Sequence, residues 1–117
     1  MKISQPLVVI DLETTGTWTE KDKIVEIGMI KCLPGGSMEN YVKRVNPGMR
    51  IPSSVSQVIG ITTEDIKDAP IFKDIAAEVV SFIDTYDLAG FNIERFDLPI
   101  LEREIIEAGL KFERAGR

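Results

Sequence analysis

The spacing of apolar and polar residues changes along the chain, and each change marks the boundary of a predicted strand or helix. Leu7 and the first three residues of the segment VVIDLETTG are apolar and precede Asp11, and Leu12 follows it, so Leu7 to Leu12 is predicted to be a buried strand. The segment DKIVEIGMIKCL (22–33) alternates and predicts a second strand, and SMENYVKRVNPG (37–48) predicts a third. Because a Pro-Gly-Gly turn separates the last two, we expect them to pair as an antiparallel hairpin.

The second half of the chain has mainly helical patterns, with a short strand predicted over 87–91. Four helical segments are expected. The first is capped by Ser53 or Ser54 and ends near Gly60, and the second is capped by Thr62 or Thr63. The third covers 71–85, and the fourth covers 94–109, with Pro99 in its first turn and Gly109 at its end. Three strands followed by helices, a strand and a helix predict an α/β protein with a mixed sheet.

Length and composition are those of an ordinary globular protein. The length of 117 residues predicts one domain, 1–117. Of these residues 44% are hydrophobic and 28% are charged, a composition that allows a small core. No apolar run is long enough to span a membrane, and the first residues lack a signal-peptide layout. The single cysteine, Cys32, excludes an intramolecular disulfide and favours a reducing compartment, so we expect the cytoplasm.

The charge distribution constrains the function. The formal net charge is −5, with the acidic excess in the second half, and this argues mildly against binding nucleic acid by non-specific phosphate contacts alone. It leaves a metal-dependent enzyme open, because bound cations neutralise clustered carboxylates. Histidine is absent, so the side chain most often used for proton transfer near neutral pH is not available.

Two acids stand at the end of the first predicted strand. Residues two apart on a strand share a face and lie roughly 6.5–7 Å apart, so Asp11 and Glu13 are able to converge on one point. Carboxylate oxygens suit a hard cation such as Mg²⁺ or Mn²⁺. An Asp-x-Glu at a strand end is also common as a solvated terminus or turn cap, and spacing alone favours that simpler interpretation.

Three ordered segments carry a resemblance to a known family. VVIDLETTG followed by IVEIGMI resembles the first motif of the DnaQ-like 3′–5′ exonucleases of the DEDD superfamily. NPGMRIPSSVSQVIGIT (46–62) resembles the next segment of that family, and GFNIERFDLPIL (90–101) resembles its second motif. The similarity extends over nearly the whole chain from residue 7.

The resemblance implies a ribonuclease H-like fold and a two-metal exonuclease that uses Mg²⁺ or Mn²⁺ to release nucleoside monophosphates from a 3′ end. DNA is favoured over RNA as the substrate, and a DNA polymerase subunit is a possible partner. By resemblance, the catalytic metal ligands are Asp11, Glu13 and Asp97. The residues expected near the terminal nucleotide are Thr14, Thr15, Gly16, Ile61, Asn92 and Phe96.

The chain departs from the family pattern in two ways. Three residues separate Asn92 from the Phe-Asp pair, where the common form has two. The third motif, a helix with His or Tyr and a last Asp, has no counterpart, so we interpret the chain as the N-terminal two-thirds of the family domain and expect it to be inactive alone. The alternative is a non-catalytic module that binds metal, nucleic acid or a polymerase. The uncovered sheet is expected to favour self-association.

Other residues have weaker signals. Trp18 is a candidate for stacking on a base, although packing within its loop is the more common role for such a residue. Glu26 is expected to be a structural polar group, and the EREIIE segment (102–107) is expected to lie on an exposed helix face. The basic residues that either contact a nucleic-acid backbone or are simply solvated are Lys21, Lys23, Lys43, Arg44 and Arg50.

Overall fold

The computed structural model describes residues 3–91 and 93–112 and contains a four-stranded sheet and three α-helices. The strands are β1 (Leu7–Thr14), β2 (Ile24–Cys32), β3 (Met38–Arg44) and β4 (Asp87–Ala89), and the helices are α1 (Ser53–Ile59), α2 (Phe72–Ile83) and α3 (Leu98–Glu107). A 3₁₀ turn (Glu64–Ile66) follows α1, and a π-helical turn (Ile93–Asp97) precedes α3. Each predicted strand and helical segment is present, with ends shifted by a few residues.

The sheet is mixed, as predicted, with strand order β3-β2-β1-β4. The β1–β2 and β2–β3 pairs are antiparallel, which confirms the hairpin, and β4 runs parallel to β1. Strand β1 continues two residues beyond the predicted Leu12, and its pairing with β2 changes register between Glu13 and Thr14. The short β4 pairs only with Leu7 to Val9, so the second half of β1 has no strand on that side within the described residues.

One face of the sheet holds the main core. Val8, Ile10 and Leu12 alternate along β1 and are at most 7% exposed, and they pack with the apolar faces of α2 and α3. Burial of each such aliphatic side chain contributes about 1.5–3 kcal/mol. A smaller cluster contains Val25, Ile51, Ile61 and Ile66. Val9, Asp11 and Glu13 therefore lie on the β1 face opposite the main core.

The helix ends differ in detail from the prediction. Neither Ser53 nor Ser54 caps α1, because Pro52 occupies the N-cap and the serines lie in the first turn. Gly60 ends this helix with a left-handed φ of 74°, as predicted. The predicted Thr62 cap is present as a reciprocal pair: the Thr62 N–H donates to the Asp65 carboxylate at 2.9 Å, and the Asp65 N–H donates to the Thr62 hydroxyl at 3.1 Å.

The last predicted helix is divided in two. The π-helical turn at Ile93–Asp97 leads into α3, with a proline in the first turn of α3 and Gly109 in a left-handed conformation after its end. A π-helical turn holds one more residue than an α-turn. The turn coincides with the segment in which the sequence has one residue more than the common form of the motif that it resembles. Asn92 itself lies outside the described residues.

Gly90 allows the chain to leave β4 close to β1. A Cβ atom at this position would overlap the backbone carbonyl oxygen of Ile10, so only glycine fits. The close approach brings the π-helical turn alongside the half of β1 that β4 does not reach.

Among the described residues, no helix has both the length and the apolar character needed to cross a membrane.

Candidate metal and nucleic-acid site

The candidate site lies at the carboxyl end of β1, beside the point where β4 ends. Ligands of α/β sheets commonly bind at the carboxyl ends of parallel strands. Asp11 and Glu13 project from β1, and Asp97 is the last residue of the π-helical turn that packs against this strand. Segments more than 80 residues apart in the chain thus supply the three predicted acids.

Asp11 and Glu13 face away from the main core and are accessible. Asp11 is exposed and stands opposite Gly28 of β2, so no side chain from that position covers it. Glu13 is half-buried and stands opposite Glu26. Glu26 is paired with Arg44 at 3.4 Å, so among the described residues the negative charge without a basic partner at this end of the sheet is that of Asp11 and Glu13.

The environment of Asp97 disfavours its ionised form. The pKa of this half-buried carboxyl is raised to about 6: burial is the largest cause and the charges of Asp11 and Glu13 add to it, while the hydrogen bond from the Leu12 backbone N–H acts in the opposite direction. The pKa of Glu13 is also raised, first by burial and then by the charges of Asp11 and Glu26. The three predicted acids are thus close enough to repel one another.

The donor set fits a divalent cation. All three side chains offer carboxylate oxygens, which Mg²⁺ and Mn²⁺ prefer, and a cation between them relieves their mutual repulsion. Within residues 3–91 and 93–112 no Lys or Arg forms an ion pair with any of them. In the same residues no group of three or more His, Cys, Asp or Glu side chains, these acids included, is arranged to hold a metal ion as it stands. The acids form an open cluster on the surface.

The Thr-Thr-Gly turn after β1 is held from within the protein. The Thr14 hydroxyl donates to the Gly16 carbonyl at 2.6 Å, and Thr15 is only 2% exposed. The Thr15 hydroxyl donates to Asp22 Oδ1 at 2.7 Å and accepts the Lys23 N–H at 3.0 Å. The Thr15 side chain therefore faces inward, and any contact that it makes with a nucleotide would be through its backbone.

A side chain at position 16 is disfavoured by the closeness of Asp22 rather than by the backbone conformation of Gly16. Gly16 does not adopt a left-handed φ, but a Cβ atom here would lie 2.5 Å from Asp22 Oδ2. The sequence predicted Gly16 to lie near the terminal nucleotide but gave no signal for Asp22, whose contacts are with residues up to seven positions away.

The remaining residues predicted near the nucleotide have different surroundings. Ile61 is 3% exposed and packs in the smaller cluster with Val25. Phe96 is half-buried, with the Arg95 guanidinium 5.7 Å from its ring centre. Asn92 lies outside the described residues, so the structure gives it no position.

The basic residues named from the sequence differ in their availability. Lys23 pairs with Glu107 at 3.0 Å and Glu104 at 3.8 Å, and Arg44 pairs with Glu26 at 3.4 Å. Lys43 and Arg50 are exposed. Lys21 lies over the Trp18 ring at 4.5 Å, and Trp18 is 55% exposed. The Trp18 ring is therefore largely exposed to solvent, with one face in contact with the Lys21 ammonium group.

One acid of the EREIIE segment was wrongly predicted to be exposed. Glu104 is 7% exposed, and its carboxylate accepts the backbone N–H of Ile24 at 2.8 Å. Burial raises its pKa, while that hydrogen bond and the charges of Lys23 and Arg103 lower it. Helical periodicity places Glu104 beside the buried Leu101 and Ile105, but only the position of β2 explains why a carboxylate is needed there.

Comparison with known proteins identifies relatives of this chain. The model of the RNase_T family, described as exonuclease, matches residues 8–113. The 3′-5′ exonuclease DinG of Bacillus subtilis (strain 168) is 34% identical over 108 residues, which are 92% of this chain and 12% of DinG. DNA polymerase III subunit epsilon of Buchnera aphidicola subsp. Schizaphis graminum is 32% identical over 113 residues, with 89% of this chain and 47% of that subunit covered. The chain thus spans less than half the length of these two relatives.

A solved structure shares the fold. Exonuclease I of E. coli, in a crystal structure with a dT13 oligonucleotide, aligns with a TM-score of 0.82 over 92% of this chain and 25% of that chain, at 18% identity. At this identity the likeness concerns the fold, and it confirms the predicted ribonuclease H-like fold with a mixed sheet and helices.

Proposed function

Because this chain belongs to the RNase_T exonuclease family, we propose that it carries the metal site of a 3′–5′ exonuclease that releases nucleoside monophosphates from DNA ends. The observation that carries the proposal is the group of three mutually repelling carboxylates, Asp11, Glu13 and Asp97, without an ion-pair partner among the described residues. A purely structural cluster of acids is normally compensated by basic side chains or backbone donors.

The same three acids would hold one or two Mg²⁺ or Mn²⁺ ions. Bound there, such ions would activate water and stabilise the charge on the leaving oxygen of a phosphodiester. The protein residues position these ligands: the β1 strand fixes Asp11 and Glu13, and the π-helical turn presents Asp97 from the side. The turn at Thr14 to Gly16 and the half-buried Phe96 would orient the terminal nucleotide.

The choice of substrate follows from the relatives. DinG is named as a 3′-5′ exonuclease, the epsilon subunit belongs to DNA polymerase III, and the exonuclease I crystal contains a DNA oligonucleotide. We therefore propose single-stranded DNA 3′ ends as the substrate, a polymerase subunit as a partner, and the cytoplasm as the compartment. RNA is the less favoured substrate.

Digestion of end-labelled oligonucleotides by the complete protein tests this proposal. Single-stranded DNA and RNA of one sequence, labelled at either end, are incubated with Mg²⁺, with Mn²⁺ and with EDTA. We expect mononucleotides to appear first from the 3′-labelled DNA and only with a metal. The Asp11→Asn variant should be inactive, and Asp68→Asn, which removes an exposed acid elsewhere, should retain activity. Release from the 5′ end, or activity in EDTA, would contradict the proposal.

A second function concerns the 117 residues by themselves. They contain no histidine, and loss of a general base alone costs about 10²–10⁴ in rate. We propose that the isolated chain binds metal and DNA without appreciable cleavage. Vigorous Mg²⁺-dependent nucleotide release by the purified chain, abolished in the Asp11→Asn variant, would show this to be wrong.

Self-association of the isolated chain is proposed on the basis of exposed apolar side chains on the sheet. Ile30 and Val42 are 41% and 65% exposed and lie on neighbouring strands. Light scattering at increasing concentration tests the proposal, and a monodisperse monomer throughout would contradict it.

A further inference from the structure

We propose that Asp22 is a positioning residue of the nuclease site: its carboxylate fixes the turn from Thr15 to Trp18 so that the turn is ready to receive the terminal nucleotide. The inference rests on the proposed function and assigns a role to a residue outside the three acids.

Both carboxylate oxygens of Asp22 are engaged by the turn. Oδ1 accepts the Thr15 hydroxyl at 2.7 Å, and Oδ2 accepts the Trp18 backbone N–H at 2.7 Å. The Asp22 backbone N–H donates in return to the Trp18 carbonyl at 2.7 Å. Hydrogen bonds to an ionised acceptor are stronger than those between neutral groups, so this acid closes the loop more firmly than the backbone contact alone.

The position of Asp22 matters because the strand ladder is irregular here. The β1–β2 register changes between Glu13 and Thr14, directly after the second candidate metal ligand. Beyond that point Thr15 is held by its own N–H to the Lys23 carbonyl at 2.9 Å and by its hydroxyl to Asp22. The Asp22 carboxylate therefore holds Thr15 in place directly after the point where the regular pairing of β1 with β2 is interrupted.

Side chains of helix α3 bind the backbone of residues 22–24. The Arg103 guanidinium donates to the Asp22 carbonyl, and the buried Glu104 carboxylate accepts the Ile24 N–H. Asp97 immediately precedes this helix. Residues 22–24 therefore connect the strand that carries Asp11 and Glu13 to the helix that follows Asp97.

Gly16 provides independent evidence that the carboxylate fits closely. Its backbone conformation is open to any residue, yet a Cβ atom would lie 2.5 Å from Asp22 Oδ2 and 2.9 Å from Asp22 Cγ. A Gly16→Ala substitution must displace Asp22 or the turn. The two residues are therefore expected to be energetically coupled.

Kinetics of the complete protein on single-stranded DNA test the inference. We compare Asp22→Ala, Asp22→Asn, Gly16→Ala and the double variant Gly16→Ala/Asp22→Ala, with rates corrected for the folded fraction from thermal melts. The control is Glu20→Gln, which removes one negative charge from an exposed position in the same loop.

For Asp22→Ala we expect KM to rise about 10- to 100-fold with a smaller change in kcat, because a misplaced turn affects binding of the nucleotide. Asp22→Asn retains one acceptor oxygen and should recover most of the loss. Gly16→Ala should resemble Asp22→Ala, and the double variant should lose no more than either alone, because the clash disappears with the carboxylate. Emission of Trp18, the only tryptophan, should shift in both single alanine variants.

An active wild-type protein whose Asp22→Ala variant keeps the wild-type KM, or matches Glu20→Gln, would overturn this inference alone. Additive effects of the Gly16 and Asp22 substitutions would also overturn it. A wild-type protein without nuclease activity would overturn the proposed function together with the inference, so the two failures are distinguishable.

Discussion

Helix α3 has an acid at each end, and the two acids have opposite surroundings. Burial raises the pKa of both Asp97, just before the helix, and Glu104, in its last turn. Around Glu104 a backbone N–H and two basic side chains oppose the rise. Around Asp97 two further carboxylates increase it. Both acids accept a backbone N–H, but Glu104 also has two basic neighbours, whereas the carboxylates beside Asp97 add to the rise of its pKa.

We propose that this difference separates a structural carboxylate, Glu104, from a functional one, Asp97. A protein that keeps like charges together without basic partners gives up stability at that place, and such sites are commonly functional. Glu104 instead satisfies a backbone donor at the start of β2. Variants of the two acids should therefore affect different properties.

The largest expected effect concerns metal binding and activity. Asp97→Asn should abolish detectable nuclease activity and weaken Mn²⁺ binding by at least about 10- to 100-fold, because it removes a charged ligand. Glu104→Gln should change Mn²⁺ affinity by less than about twofold, because the amide oxygen still accepts the Ile24 N–H. Isothermal titration with Mn²⁺ measures both. Equal losses in the two variants would show that the acids do not differ in role.

The next effect concerns folding. Glu104→Ala should lower the free energy of unfolding by about 1–3 kcal/mol, because the buried Ile24 N–H loses its acceptor. The control is Glu107→Ala, whose ion pair with Lys23 is at the surface and contributes less than about 1 kcal/mol. Urea denaturation followed by circular dichroism measures the difference. A larger loss in the control would refute the structural assignment of Glu104.

The pH dependence of metal binding should follow Asp97. With a pKa of about 6, its carboxyl is mostly ionised at pH 7.5 and mostly protonated at pH 5. Since a metal ion competes with that proton, Mn²⁺ affinity should fall by about tenfold from the plateau at pH 7.5 to pH 5. The Glu104→Gln variant should retain this fall. A flat affinity over this range would mean that Asp97 is not a ligand.

The smallest effect concerns the metal-free protein. Because the folded-state pKa of Asp97 is raised, its contribution to stability is fully present below pH about 4 and is lost as the pH rises through 6. Asp97→Asn should therefore raise the melting temperature at pH 7.5 by about 2–4 °C, a small change because solvent screens a half-exposed charge. Glu20→Gln should leave it unchanged. Thermal melts in EDTA would contradict this if Asp97→Asn were less stable than wild type.

The sequence predicted the elements better than the contacts between them. Alternation along β1 and β2 and the spacing in α2 reflect local rules, and those elements were placed correctly. The resemblance brought Asp11, Glu13 and Asp97 together as candidates before any coordinates. Glu104 and Asp22 were not identified, because their partners lie on other elements or across a loop. The π-helical turn was also missed, since an α-helical and a π-helical segment have nearly the same composition.

The π-helical turn at Ile93–Asp97 bears on how sequences of this kind diverge in length. The wider turn lies between β4 and α3, with Gly90 fixed against β1 before it and Asp97 as its last residue. We therefore expect a related chain that is one residue shorter here to have an α-helical turn in this place, with the acid that corresponds to Asp97 still before the helix.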